Sequence, residues 1–274
     1  MKTILVPTDF STAASNAVEY AVEIAKLSKA KLVLFHAYIV PVIPAETTLV
    51  ITADEMERNA MKGLKKIAKE IHQESGKEIT IDCVCRNGFA VDEINGYAEE
   101  NKVDLIVMGM EGTGYIMEKI IGSTTTTVIK KSKFPVLAID KTVRYRSIKK
   151  IALACDYSEM KNSSAVNLLK RFTTLFHSKL YIVNVINELQ PVAEVGKDIA
   201  AMKLEQLLAN FEHSSYHIEN EDVIEGINRF VEEKSIDMVV MIPHKHTALK
   251  NFFSEPHTKR MAFHTKVPLL TLHE

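Results

Sequence analysis

The chain has 274 residues, 46% of them hydrophobic, and a formal net charge of −1, so two small domains can each bury a core and the basic excess of a nucleic-acid groove is missing. No apolar run reaches membrane-spanning length, and Thr3 to Val6, followed at once by Pro-Thr-Asp, is too short for a secretory signal. Three cysteines, Cys83, Cys85 and Cys155, make no disulfide framework and suit a reducing, cytoplasmic setting. Lys2-Thr-Ile-Leu-Val-Pro-Thr-Asp9 is a short buried strand ending in a polar turn. Ser11 is a good helix N-cap, and Ala14, Ala17, Val18, Ala21 and Ala25 follow at helical spacing, which predicts a helix to about Ser28. Lys31 to Ala37 is a second strand. A loop with Pro41 and Pro44 spans Tyr38 to Thr52. A helix is expected from Asp54 to Glu74, with Met56, Ala60, Leu64, Ile67 and Ala68 inward. Glu78 to Cys85 is a third strand, with Cys83 and Cys85 read as core thiols in preference to a metal or redox pair. Gly88 opens a turn into a helix that buries Val91, Ile94, Tyr97 and Ala98. Val103 to Met108 and Phe134 to Ile139 complete five strands. Alternation of strands and helices at these lengths means βαβ units and a parallel sheet covered on both faces, with ligands bound outside the strands' carboxyl ends. Asp9, Ala37 and Gly109 all lie at such ends.

The pattern then repeats. Lys2 to Ser11 aligns with Lys149 to Ser158, Lys31 to Ala37 with Lys179 to Val185, Val103 to Met108 with Ile236 to Met241, and Phe134 to Ile139 with Val267 to Leu272. The polar, basic linker is Lys141 to Ser147. The expected domains are 1–142 and 147–274.

The stretch that opens at Val103 carries Gly109, two residues, Gly112, nine residues, then Gly122-Ser123 and the run Thr124 to Thr127. Glycine lets a backbone approach a ligand closely, and N–H groups in such turns and at the next helix start bind phosphate oxygens. A tight turn serving packing alone is the other reading. In the second copy Ile242 stands against Gly109, Pro243 follows, Lys245 stands against Gly112, and Glu255-Pro256 against Gly122-Ser123. Ile242 adds a side chain, Pro256 removes a donor and Glu255 adds a negative charge. The second copy, although it keeps Asp156, is therefore expected not to bind a triphosphate in the same way. By the same comparison the glycines are not needed simply to fold the sheet.

The opening Val-Pro-Thr-Asp-Phe-Ser, the strand ending Phe35-His36-Ala37, and Gly-x2-Gly-x9-Gly-Ser before a helix and a Pro-Val-Leu strand resemble the universal stress protein family in its tandem form. The resemblance spans the chain twice. It implies two doubly wound, five-stranded, Rossmann-like parallel-sheet α/β domains forming a pseudo-dimer through their fifth strands. It also implies ATP in the first domain only. Asp9 accepts hydrogen bonds from the nucleoside, with Pro7 and Thr8 shaping its turn. The Ala37 backbone faces adenine and Met108 contacts the nucleoside. Gly109 and Gly112 let the loop wrap ribose and phosphates, and Gly122, Ser123 and Thr124 donate to the phosphates, with Thr125 close by. Family members often carry Val where this chain has Thr124, so its N–H carries that role more than its side chain. Mg2+ beside the triphosphate is left open, since no dedicated ligand set is visible.

Other readings stand beside these. Asp9 could cap the following helix. His36, inside an apolar strand, reads more readily as a hydrogen-bonded core histidine than as a ligand. His244, His246 and His257 fall in the altered loops of the second copy, matching no strong metal signature. There is no Gly-x4-Gly-Lys-Ser/Thr loop, no Gly-x-Gly-x-x-Gly after the first strand and no placed nucleophile. The expectation is an ATP-binding stress-response regulatory protein, not an enzyme, that acts on an unidentified protein partner, with homodimerisation left open and no membrane or nucleic-acid role. The alternatives are a slow ATPase or phosphotransferase, and a structural protein with a vestigial pocket.

Overall fold

The computed structural model describes residues 1–40, 52–75, 78–110, 123–155, 163–186, 202–209, 211–242 and 267–273, with backbone alone at Ser123 and Ser163. These form two compact units, the first ending at Arg144 and the second beginning at Tyr145. No described helix is long and apolar enough to cross a membrane.

In the first unit the order is β1 (Thr3–Pro7), α1 (Thr12–Ser28), β2 (Lys31–Tyr38), α2 (Ala53–Ser75), β3 (Ile81–Asn87), α3 (Ala90–Glu100), β4 (Leu105–Met110), α4 (Ser123–Lys131) and β5 (Val136–Asp140). The strands run parallel in the order β3-β2-β1-β4-β5. Their middle members are continuous apolar runs because helices cover both faces: Ile4, Leu5, Val33, Leu34, Leu105 and Ile106 are fully buried. Helix α1 presents its alanines to this sheet, with Ala17 and Ala21 wholly buried. Small side chains bring its backbone close to β4, which matters at the site.

Two differences from the sequence reading arise at the sheet edge. Strand β3 starts at Ile81 and continues to Asn87, later than the apolar pattern suggests. It pairs with β2 alone among the described residues. Cys83 and Cys85 are consequently half-buried, not core thiols. Helix α2 buries Ala60, Leu64, Ile71 and Ser75, while Met56, Ile67 and Ala68 are only partly covered. A helix that covers an edge strand leaves part of its apolar stripe at the rim.

The second unit contains β6 (Lys150–Ala154), α5 (Ser163–Phe176), β7 (Lys179–Ile186), β8 (His213–Glu219), α6 (Val223–Lys234), β9 (Met238–Met241) and β10 (Leu269–Thr271). Its parallel order, β10-β9-β6-β7-β8, repeats that of the first. The sequence alignment of the copies did not place β8. Its sequence, His-Ser-Ser-Tyr-His-Ile-Glu, alternates between half-buried and exposed positions, so an edge strand escapes a search for apolar runs.

Candidate functional site

The turn leaving β1 is closed by successive side chains. Thr8 N–H donates to the Phe35 carbonyl at 2.8 Å. Thr8 Oγ1 accepts from Phe10 N–H at 3.0 Å, and Asp9 Oδ1 accepts from Ser11 N–H at 3.0 Å. Ser11 Oγ accepts from Ala14 N–H at 3.2 Å and so caps α1. These bonds hold Phe10 at φ 64°, a left-handed conformation that costs a bulky residue energy. Asp9 is therefore not the cap. Its carboxylate is exposed at the mouth of the turn, tethered through Oδ1.

At the end of β2, His36 Nδ1 lies 2.7 Å from the Thr8 carbonyl oxygen. A carbonyl only accepts, so Nδ1 is the donor. The second unit repeats this bond with another residue: Asn184 Nδ2 donates to the Cys155 carbonyl at 3.0 Å. The bond is thus part of the framework in both copies. The His36 ring also packs on Phe10, centroids 4.8 Å apart. A Cβ on Gly63 of α2 would lie 2.8 Å from that Phe10 ring, so Gly63 makes its room.

Strand β1 ends opposite Phe35, whose carbonyl points toward β1. Backbone direction alternates along a strand. Ala37, two residues on, therefore turns its N–H and C=O to the same side, beyond the end of β1.

At the end of β4, a Cβ on Gly109 would sit 2.4 Å from both the carbonyl carbon and oxygen of Ala13, and 2.8 Å from Ala14 N. For Gly109 this corrects the inference that the glycines are unnecessary to the sheet. Gly109 is required where the first turn of α1 crosses β4, whatever binds nearby. In the second unit Ile242 occupies the aligned position and is buried; its helix α5 is described only from Ser163. In the first unit Thr125 Oγ1 donates to the Gly109 carbonyl at 2.8 Å and ties the first turn of α4 to β4.

These three strand ends surround a cavity of about 210 Å³. Of the residues singled out from the sequence, Pro7, Thr8, Asp9, Ala37, Met108, Gly109, Thr124 and Thr125 all line it. Gly112 and Gly122 lie outside the described residues, as does the side chain of Ser123. Sequence reasoning missed the α1 backbone at Ala13 and Ala14, and the α3 residues Ala90 and Ile94, as walls. The cap at Ser11 was the available signal for the first pair; nothing local marks the second. Among the described lining residues only Asp9 and His36 are ionisable. The first turns of α1 and α4, with N–H groups lacking helical partners, also border the cavity. His244, His246 and His257 lie outside the described residues, and no described cluster of three or more His, Cys, Asp or Glu could hold a metal.

The model of the Universal stress protein family matches this chain twice, at residues 1–140 and 147–273. Universal stress protein MJ0531 of Methanocaldococcus jannaschii is 32% identical over 145 residues, covering 51% of this chain and 82% of that protein. A universal stress protein structure from Archaeoglobus fulgidus superposes over 99% of this chain and 98% of its own, with TM-score 0.74 and 18% identity, a likeness of fold. A universal stress protein solved in complex with cAMP is 29% identical over 50% of this chain and 96% of its own, with TM-score 0.39. That overlap is too loose to argue from, and the cyclic nucleotide is that protein's ligand.

Proposed function

This chain belongs to the universal stress protein family, carrying its fold twice, and on that premise we propose that it is a regulatory module that binds one adenine nucleotide, ATP, in the first unit and does not turn it over. The observation that carries the reading is the cavity itself. Residues from four separate stretches of chain, at the ends of β1, β2 and β4 and the start of α4, converge on about 210 Å³. Strand ends of a doubly wound sheet are where such ligands bind.

Each residue has a task in this reading. The Ala37 N–H and C=O, unmatched by β1, pair with the adenine edge as a strand would. Met108 and Ile94 give the base or ribose apolar walls. Asp9, held by Ser11 N–H, accepts from ribose hydroxyls. The α4 turn, fixed by Thr125 to the Gly109 carbonyl, presents N–H groups to phosphate. The lining supports binding over hydrolysis in that its described residues include no lysine or arginine to draw charge from a γ-phosphate. Bound Mg2+ would offset clustered phosphate charge, with Asp9 the described carboxylate at hand. Nucleotide binding would alter the surface that a protein partner reads.

The test is calorimetric titration with ATP and Mg2+. One site per chain is expected, weakened at least tenfold in Asp9→Ala and closed in Ala90→Trp, which fills the cavity from α3. Two equal sites or none would overturn the proposal, as would phosphate release that disappears with Asp9→Ala.

A further inference from the structure

A second hollow of the first unit lies away from this pocket and shares no lining residue with it. It is open, about 860 Å³, and touches Ile81, Asp82, Cys83 and Val84 of β3 in succession. Successive strand side chains point to opposite faces. A hollow that meets all of them therefore follows the edge of the strand, not one face of the sheet. Its other wall is Met61, Lys65, Ala68, Lys69 and His72 of α2. That spacing is a single helical stripe. The hollow is thus a groove between a helix stripe and a strand edge.

Among the described residues β3 pairs with β2 alone, so its outer edge offers backbone N–H and C=O groups. Side chains of both kinds frame it. Met61, Ala68, Ile81 and Cys83 are apolar. Lys65 and Lys69 are exposed and positive. The one acid of the groove, Asp82, is offset by Lys31 at 2.8 Å. His72 is engaged through Nε2 with the Ile79 carbonyl, 3.1 Å away. The groove therefore carries net positive charge above an apolar floor.

The second unit treats its matching edge differently. There Glu205, in the helical residues 202–208, spans β8: its Oε2 lies 2.6 Å from His213 Nε2, and Ser215 Oγ donates to Oε1 at 2.7 Å. His213 and Ser215 are two residues apart and share a face, so an acidic side chain of the helix already lies over that face of β8. At β3 the neighbouring helix supplies lysines instead.

We propose that the α2–β3 groove is a docking site for an extended acidic segment of a partner protein, which adds to the β3 edge as a strand and sets carboxylates against Lys65 and Lys69. Main-chain bonds to the edge supply affinity, and the lysines with the apolar floor supply selection. Charge complementarity decides the occupant: a basic segment would meet two ammonium groups.

The probe is a fluorescent hexapeptide alternating glutamate and valine, followed by anisotropy with the full chain. Binding is expected, weakened at least tenfold in Lys65→Glu/Lys69→Glu and also weakened by molar salt, which screens exposed charges. The control variant Lys62→Glu/Lys66→Glu changes the same charge on residues outside the groove and should cost less than threefold. Cys83 provides a local readout: its maleimide adduct, located by peptide mass, should form several-fold more slowly with peptide bound. The lysine counterpart of the peptide should not bind. ATP titration should be unchanged in both variants, so the nucleotide reading and this one fail separately. Equal binding of the two peptides, equal losses in the two variants, or an unprotected Cys83 would overturn the proposal. Self-association abolished by Lys65→Glu/Lys69→Glu would make a second copy the occupant and also overturn it.

Discussion

At their strand ends the two units share a framework and differ in the residue that closes the strand at β4 and β9. In the first, His36 holds the Thr8 carbonyl; in the second, Asn184 holds that of Cys155. The same bond survives a change of side chain because each residue places one N–H donor at the same register of β2 or β7. At the end of β4, Gly109 leaves no room even for a Cβ beside Ala13, whereas β9 is followed by a buried Ile242. The bond at the end of β2 and β7 is thus kept in both units, whereas the glycine that the α1 backbone requires is found in the first alone. A residue that differs between copies is not thereby a ligand residue; Gly109 differs and has a packing reason.

Exchanging the residues of this last pair is the strongest way to break the comparison. Gly109→Ile drives a side chain into the α1 backbone, and a loss of at least about 3 kcal/mol in urea unfolding is expected for the first unit. Ile242→Gly empties a buried site and should cost the second unit about 3 to 5 kcal/mol, without creating a nucleotide site. Should Gly109→Ile prove nearly neutral, the close approach is not what keeps glycine there.

The next largest effect separates the units by pH. His273, aligned with Asp140, has a buried Nε2 with no hydrogen-bond partner among the described residues. Burial lowers its pKa from 6.5 to about 4. The unfolded chain takes up this proton first, so the contribution is intact above pH 6.5 and fades as pH falls toward 4, by about 3 kcal/mol in total. His273→Leu should flatten the acid limb of the second unit's unfolding curve. The His213–Glu205 pair acts in the opposite sense on His213. Burial disfavours the imidazolium, but Glu205 and the Phe211 carbonyl outweigh it and raise the pKa. The stabilisation from His213 is therefore present below 6.5 and lost as pH rises through the raised value. Glu205 is lowered, chiefly by its bond to His213 and then to Ser215, so its contribution fades as pH falls below 4.5. In His273→Leu, stability should thus peak between about pH 4.5 and 6.5, and adding His213→Gln should remove the peak.

The smallest effects sharpen the shared bond. Asn184→Ala leaves the buried Cys155 carbonyl short of its donor and should cost about 1 to 3 kcal/mol. His36→Ala should cost about 1 kcal/mol, while His36→Asn, which installs the second unit's donor, should restore most of that. If ATP affinity is held within threefold by His36→Asn, the ring serves the framework; a tenfold loss would place it against the ligand.

Much of this was legible in the residues. The strands β1, β2 and β4 carry continuous apolar runs because both their faces are covered, and Ser11 announces α1. Asp9, Ala37 and Gly109 could be named because parallel strands end where a glycine or polar turn begins, whereas Pro7, Thr8 and Met108 came from the resemblance to the universal stress protein family. The edge strands were less clear. β3 was placed three residues early at its start and β8 was missed, since a strand buried on one side only carries no continuous apolar run.

By itself the sequence determined the duplicated α/β fold, since alternating apolar runs and amphipathic stretches have few other ways to bury their surfaces. It also determined which strand ends carry polar turns. Only the tertiary structure decided why particular residues stand there. Gly109 answers to the backbone of α1, nearly a hundred residues earlier, and His36 to a carbonyl across the sheet. The walls Ala90 and Ile94 come from a helix that no local pattern links to the site. Close approach and register are relations between distant segments, and a linear pattern records them only after folding has brought those segments together.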